Sequence, residues 1–208
     1  MSLHEIRVKN EETVVKTALK LFVEKGIEQT TMKSIAIEAN LTERSVFRYF
    51  NTKADLVLET SFYVWSLIQK SLTPLNIQFE NQKLSGYELA ILVLKSYGKE
   101  FFEYPLHLIY IQEAEVYLYR HQMKDLMKKP VDNYIDNNGY LSKALIRGVE
   151  DGSISKNENL SKFYYNAYDG LLGLMQKMAI SKHNVNDTEF LKSRIDDYCE
   201  MLVKSIKS

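Results

Sequence analysis

The chain has almost no cysteine. Cys199 is the only one in 208 residues, so no disulfide can form within the chain and no cysteine-rich metal cluster is possible. A lone thiol among helix-forming residues is most simply a small apolar side chain. These absences fit a reducing compartment. We expect a cytoplasmic protein that uses neither a metal nor a cofactor.

Residues that break helices are also scarce. There are eight glycines and only three prolines, Pro74, Pro105 and Pro130, each at a plausible helix junction. No segment alternates apolar and polar residues for long enough to predict a strand, and Leu, Lys, Glu and Ala are frequent. The pattern predicts an all-α protein of about nine helices, over residues 10–25, 31–39, 42–50, 52–72, 84–103, 105–121, 130–150, 158–181 and 187–207.

The chain lacks net charge and a long apolar run. Lys+Arg and Asp+Glu balance at 27 each, so no polycationic tail predicts a nucleic-acid partner. No uncharged run approaches the ~18 residues that a membrane-spanning helix needs, and charged side chains near the start exclude a secretory signal. A positive bias appears only locally, from Lys33 to Lys53, where basic side chains outnumber acidic ones: Lys33, Arg44, Arg48 and Lys53 against Glu38 and Glu43.

Motifs of known catalytic chemistry are missing. The four histidines are scattered, and there is no HExxH pair, nucleophile elbow or phosphate-binding glycine loop. His121 and Asp125 have helical spacing, but two ligands do not make a metal site. We therefore do not expect an enzyme.

Residues 30–56, TTMKSIAIEANLTERSVFRYFNTKADL, are the most informative stretch. Apolar residues at helical spacing predict one helix over 31–39 and a second over 42–50, which turns Val46 and Phe50 inward. Asn40-Leu41 is short enough only for a turn, and Asn tolerates a positive φ. A helix, a tight turn and a second helix with a basic outer face form the helix-turn-helix that fits a DNA major groove. We place a DNA-binding domain at 1–51 and a larger helical domain at 52–208.

The same stretch resembles the tetracycline-repressor (TetR) family of bacterial regulators. The matching positions are Thr30, Thr31, Ile35, Ala36, Ala39, Leu41, Thr42, Ser45, Val46, Phe47, Tyr49, Phe50, Lys53 and Leu56. Asn40 replaces the usual Gly of the turn, and Phe47 replaces a Tyr that typically contacts a phosphate. The resemblance implies a transcriptional regulator, most often a repressor, that binds a near-palindromic operator as a homodimer and is released by a small-molecule effector.

DNA-contacting candidates follow from position and from this resemblance. Thr31 and Thr42 head the two helices, where backbone N–H groups favour a phosphate. Arg44 is the best candidate for a bidentate guanine contact, beside Glu43, Ser45 and Arg48 on the outer face. Lys33, Tyr49 and Lys53 are expected on phosphates, and Phe47 keeps packing without the hydroxyl. Each residue taken alone also reads as an ordinary cap or a solvated charge.

The sequence predicts two further groups of functional residues in the helical domain, a dimer interface and an effector pocket. The segments 158–181 and 187–207 carry more apolar surface than one partner needs, which favours a four-helix dimer interface over packing within one chain. Its candidate residues are Phe163, Ala167, Gly170, Leu171, Leu174, Met178, Leu191, Ile195, Tyr198 and Leu202. Operator half-sites would then lie ~34–36 Å apart.

An aromatic-rich body suggests an effector pocket for an apolar or aromatic molecule. The candidate residues are Trp65, Tyr97, Phe101, His107, Tyr110, Glu113, Tyr117 and Asn166. Glu113 falls on an apolar stripe, where its carboxylate needs either a protein cation or a cationic ligand. Effector binding would act by shifting the helix over 52–72. The alternative is a TetR-like helical module that binds a ligand or a protein but no operator.

Overall fold

A computed structural model describes residues 2–80, 83–123, 139–181 and 188–208. These ranges contain ten helices and no β-strand: α1 Leu3–Lys25, α2 Met32–Glu38, α3 Glu43–Tyr49, α4 Lys53–Ser71, α5 Leu75–Glu80, α6 Gly86–Glu103, α7 Pro105–Arg120, α8 Tyr140–Glu150, α9 Leu160–Ser181 and α10 Thr188–Lys204. The all-α prediction is confirmed. Within these ranges, no helix is long and apolar enough to cross a membrane.

Three helix boundaries differ from the sequence prediction. Helix α1 begins at Leu3, well before residue 10, because Ser2 and Glu5 form a capping box in which each side chain bonds the other's backbone N–H. The expected loop over 73–83 contains α5, which starts directly after Pro74. The described part of the helix predicted over 130–150 starts at Tyr140; residues 124–138, with Asp125 and Pro130, lie outside the described residues.

Two compact units make up the described chain. The first takes residues 2–67 and 109–123, and the second takes 68–80, 83–108, 139–181 and 188–208. The first unit therefore contains α1 to α3, most of α4 and the last part of α7. The domain boundary predicted at 51/52 separates the helix-turn-helix from the rest of the chain, and it does not coincide with the division between these two units. It stays a prediction about where the DNA-binding function ends.

The first unit packs around α1. Val14, Ala18 and Phe22 on its inner face are at most 1% exposed. The ring of Phe22 stacks on that of Tyr110 from α7, with 5.8 Å between centroids. The Tyr110 hydroxyl donates to the carbonyl of Val57 on α4 over 2.9 Å. Burial raises the pKa of Tyr110, so the phenol stays protonated and keeps this hydrogen bond. One tyrosine thus joins α1, α4 and α7.

Glycine allows the helices of the second unit to approach closely. A Cβ on Gly86 of α6 would lie 2.0 Å from the backbone nitrogen of Gly148 on α8. The turn after α8 secures this crossing: Asp151 accepts from the Gly86 N–H over 2.7 Å, and Ser153 accepts from the Tyr87 N–H over 3.1 Å. The start of α6 is therefore capped by the residues that end α8.

Candidate nucleic-acid interface

Each helix of the helix-turn-helix begins at a capping threonine. The Thr31 side chain accepts from the Ser34 N–H over 3.0 Å, and the Thr42 side chain accepts from the Ser45 N–H over 3.1 Å. Both threonines are exposed N-caps, because the helices begin at Met32 and Glu43, one residue later than the sequence predicted. Their first role is to start two seven-residue helices, which would be too short to form alone. A phosphate contact by either hydroxyl stays a prediction.

The turn between α2 and α3 depends on Asn40. Its φ of 55° places it in the left-handed region, as the sequence suggested for this substitute for glycine. The Leu41 N–H then reaches back to the Ala36 carbonyl over 2.9 Å. This bond closes the end of α2 and aims the chain into α3.

Helix α3 buries one side chain, that of Val46, which is fully inaccessible. Glu43, Arg44 and Arg48 are exposed, and Phe47 is 42% exposed. Arg44 and Arg48 are one helical turn apart and share a face. Arg44 has no hydrogen bond or ion pair within the described chain, and neither has the exposed Lys33 on α2. A helix with one anchored face and a free basic face suits a groove of DNA.

Tyr49 is held by two donors. The Asn10 side-chain amide donates to its phenol oxygen over 3.2 Å, and an Arg48 Nη donates to the same oxygen over 3.2 Å. The Arg48 guanidinium also lies 5.2 Å from the centre of the Tyr49 ring. These two hydrogen bonds, that from Asn10 first, lower the pKa of Tyr49. Arg48 is therefore engaged with its neighbour Tyr49, whereas Arg44 is not.

Lys53, at the start of α4, is already engaged within the chain. Its Nζ donates to the Glu28 carbonyl over 3.3 Å and lies 5.5 Å from the ring centre of Tyr117 on α7. Desolvation lowers the pKa of Lys53, which is half-buried. A phosphate contact by Lys53 would compete with these partners.

Thr30, which is not among the predicted DNA contacts, has a structural role. It is fully buried, and its hydroxyl lies 2.9 Å from the Gly26 carbonyl and 3.2 Å from the Leu21 carbonyl. Both carbonyls lie at the C-terminal end of α1. Thr30 thus sets the start of α2 relative to α1, and an exposed Lys20–Glu38 ion pair of 2.6 Å adds a second link.

The predicted effector-pocket residues fall in both units. Trp65, Tyr110, Glu113 and Tyr117 belong to the first unit, whereas Tyr97, Phe101, His107 and Asn166 belong to the second. Tyr97, Tyr110 and Tyr117 are buried, and Trp65 and His107 are half-buried. The side chain of Phe101 lies outside the described residues.

Two members of this set occupy exposed positions. Glu113 and Asn166 both face solvent. Leu106 and Val116, which share the helical spacing of Glu113 on α7, are about half exposed as well, at 53% and 47%. A carboxylate on this face is hydrated and needs no buried partner.

A described cavity lies elsewhere in the second unit. Its volume is about 230 Å³, and none of the eight predicted effector residues line it. Its walls come from α8 and α9: Ser142, Leu145, Ile146, Leu160, Ser161, Tyr164 and Tyr165. The effector pocket predicted from the sequence stays a prediction.

Most of the predicted dimer residues lie in the interior of the second unit. Six of them are buried within their own chain and offer little surface to a partner: Phe163, Ala167, Leu171, Met178, Leu191 and Ile195. A Cβ on Gly98 of α6 would lie 2.4 Å from Ile195, and one on Gly170 would lie 2.2 Å from the Tyr198 hydroxyl. The glycine expected to admit a second subunit therefore admits a tyrosine from α10. Leu174 and Leu202 remain partly exposed.

The helix-turn-helix region has relatives of known family. Residues 14–60 match the family model described as bacterial regulatory proteins, tetR family. Over 79 residues, the chain is 28% identical to the HTH-type transcriptional regulator AcrR of Shigella flexneri. This match covers 38% of the chain and 34% of AcrR, so the chain spans about a third of the length of this curated relative.

Solved structures share the fold over nearly the whole chain. SmeT, the repressor of the Stenotrophomonas maltophilia multidrug efflux pump SmeDEF, has a TM-score of 0.68 at 15% identity, covering 95% of this chain and 90% of SmeT. The transcriptional regulator FadR from Bacillus subtilis, in complex with stearoyl-CoA, has a TM-score of 0.67 at 16% identity, covering 94% and 98%. At these identities the similarity is one of fold alone.

Proposed function

We propose that the chain, whose residues 14–60 match the model of the tetR family of bacterial regulatory proteins, is a DNA-binding transcriptional regulator that represses its target genes. The observation that carries the proposal is α3, which buries Val46 alone and leaves Arg44 and Arg48 exposed. A surface helix with one anchor and two basic residues on one face has little role in the core. It has the shape and charge of a recognition helix.

The roles of the basic side chains differ. Arg44 has no intramolecular partner in the described chain and extends from the first turn of α3, so it contacts a guanine edge in the major groove. Arg48 and Tyr49, joined at one oxygen, contact the DNA backbone. Lys33 adds a second backbone contact from α2. Base readout is thus concentrated in Arg44, with Glu43 and Ser45 beside it.

The operator is bound by a homodimer, because one α3 makes too few contacts to select a site. The partner surface consists of exposed residues on α9 and α10, including Tyr165, Gly173, Ile180 and Met201. A β-carbon added at Gly173 meets no atom within 4 Å, so this position is open to another helix. Two copies of α3 then read half-sites of a near-palindrome.

A small molecule releases the regulator from its operator. Support comes from the fold shared with FadR, whose structure contains stearoyl-CoA, and from a cavity of about 230 Å³ among described residues of the second unit. The ligand must bind one dimer geometry better than the other, because equal affinity shifts nothing. Repression in the absence of ligand is the corresponding default state.

Selection of bound DNA from random duplexes tests the proposal. The purified chain should enrich a near-palindrome, and Arg44→Ala should lose preference at one base pair per half-site, worth ~1–3 kcal/mol. Lys156→Ala, an exposed lysine in the second unit, serves as the matched control and should enrich the wild-type sequence. Enrichment of no sequence by the wild-type chain, or an unchanged preference in Arg44→Ala, would contradict the assignment.

A further inference from the structure

Asn10 is a polar residue on α1 with no place in the contact scheme above. It is half-buried, and its side-chain amide contacts a residue 39 positions along the chain, the Tyr49 phenol. Hydrogen bonds between side chains so far apart are a minority of those in folded proteins and fix one element against another. This one ties α1 to the last residue of α3.

The hydrogen-bond capacity of Tyr49 gives that contact a direction. A phenol oxygen accepts through its lone pairs and donates one proton. Asn10 and Arg48 both donate to this oxygen, each over 3.2 Å, so its acceptor capacity is filled. The remaining function of the hydroxyl is to donate. Phosphate oxygens only accept hydrogen bonds, so the Tyr49 hydroxyl can bind a DNA phosphate but cannot accept from a further donor.

We propose that Asn10 is a positioning residue of the DNA-binding surface: by donating to Tyr49, it makes the Tyr49 hydroxyl an obligatory donor to a DNA phosphate. This inference rests on the proposed function, because the acceptor is the operator backbone. Arg48 keeps further N–H groups beside the one that it gives to Tyr49. Tyr49 and Arg48 can thus both donate hydrogen bonds to the same phosphate. Helix α1 contributes to DNA binding through Asn10 without contacting the DNA itself.

The isosteric variant Asn10→Asp reverses the contact. A carboxylate accepts hydrogen bonds and does not donate them, so Asp at position 10 would accept the Tyr49 hydroxyl hydrogen bond that otherwise goes to the phosphate. We expect Asn10→Asp to lower operator affinity by about tenfold or more, whereas Asn10→Gln, which retains an amide donor, should stay within about threefold of wild type. The sequence preference should not change, because phosphate contacts carry no base information.

A double-mutant cycle with Tyr49→Phe separates this role from added charge and from altered folding. In the Tyr49→Phe background no phenol proton remains, so Asn10→Asp should reduce affinity by less than about threefold. Binding is measured by gel shift on the selected operator. Far-UV circular dichroism and melting temperature are recorded for every variant to confirm that each one folds.

The possible results separate the two proposals. Equal losses from Asn10→Asp in the Tyr49 and Tyr49→Phe backgrounds, or wild-type affinity in Asn10→Asp, would overturn the role of Asn10 and leave the regulator intact. A wild-type chain that binds no DNA would remove the proposed function and this inference with it. A loss of at least tenfold that depends on the Tyr49 hydroxyl supports both.

Discussion

Helices α3 and α9 show two different uses of an amphipathic sequence. Helix α3 has seven residues and buries only Val46, whereas α9 has 22 residues and buries eight. In α3 the apolar residue is an anchor, and the outer face is free to contact another molecule. In α9 the apolar residues pack against α6, α8 and α10 of the same chain.

Apolar periodicity therefore indicates which side chains are buried, but it does not identify what buries them. The stripe on α9 that suggested a second subunit is core, since Phe163 and Leu171 are 8% and 2% exposed. The surface of α3 is informative because its exposed Arg44 has no hydrogen bond or ion pair within the described chain. Function is therefore easier to read on the helix that buries least.

The largest effect is expected where α6 crosses α8. In Gly86→Ala the new methyl group would lie 2.0 Å from the Gly148 nitrogen, and backbone cannot rotate away. We expect a loss of at least about 3 kcal/mol of unfolding free energy, at the upper end of overpacking costs. Urea denaturation followed by circular dichroism measures it.

Gly173→Ala on α9 is the matched control, because no atom lies within 4 Å of the added carbon. At protein concentrations too low for the proposed dimer to form, it should gain about 0.5–1 kcal/mol from helix propensity. Equal stability of the two variants would mean that the α6–α8 crossing is looser than described.

Adjacent residues on α3 sharpen the comparison within one helix. Val46→Ala removes two methyl groups from a fully buried site and should cost about 2 kcal/mol. Phe47→Ala removes a larger side chain that is 42% exposed and should cost less than about 1 kcal/mol. Chemical denaturation of both variants tests the order. A reversed order would show that α3 is anchored through Phe47.

The buried carboxylate of Glu100 on α6 predicts a pH dependence. Glu100 is 4% exposed, and desolvation raises its pKa although the Ser71 hydroxyl donates to it. The folded state therefore binds this proton more tightly than the unfolded state, so the associated stability is present at low pH and is lost as pH rises through the folded pKa.

Glu100→Gln, which is neutral at every pH, should melt above wild type at pH 8. The two melting temperatures should converge as the pH falls through the raised pKa toward the ordinary value of 4.5. Thermal melts between pH 5 and 8 give the comparison. A gap that does not change with pH would mean that Glu100 is ionised or solvated equally in both states.

The smallest effect is expected in the turn before α3. Asn40 has a φ of 55°, which glycine adopts without strain, so Asn40→Gly should gain at most about 1 kcal/mol. Gln122, with a φ of 61°, is less suited to this region than asparagine. Gln122→Gly should therefore raise the melting temperature more. A larger gain at Asn40 would contradict this explanation of the turn.

Local signals in the sequence were enough for the helix-turn-helix. The helices predicted over 31–39 and 42–50 are Met32–Glu38 and Glu43–Tyr49, with Thr31 and Thr42 as caps. Caps, turn residues and apolar spacing all act within a few residues, so they can be recognised from the sequence alone. The early start of α1 was legible too, since Ser2 and Glu5 have capping-box spacing.

Contacts between distant residues were not predictable from spacing. The Asn10–Tyr49 hydrogen bond spans 39 residues, and the position of Lys53 near the Tyr117 ring depends on how α4 and α7 pack. Glu113 shows the opposite case: the sequence placed its carboxylate among apolar residues, and its side chain faces solvent. Periodicity assigns faces to a helix, but tertiary packing decides which face is covered.

The position of Lys53 has a consequence for ion release. A cation that contributes to DNA binding must displace counterions from a phosphate, and log affinity falls with log salt by about 0.9 for each one. Lys53 is already shared between a carbonyl oxygen and an aromatic face, and Arg44 is assigned to a base. A count of lysines and arginines around α3 therefore overstates how steeply potassium chloride would weaken the complex.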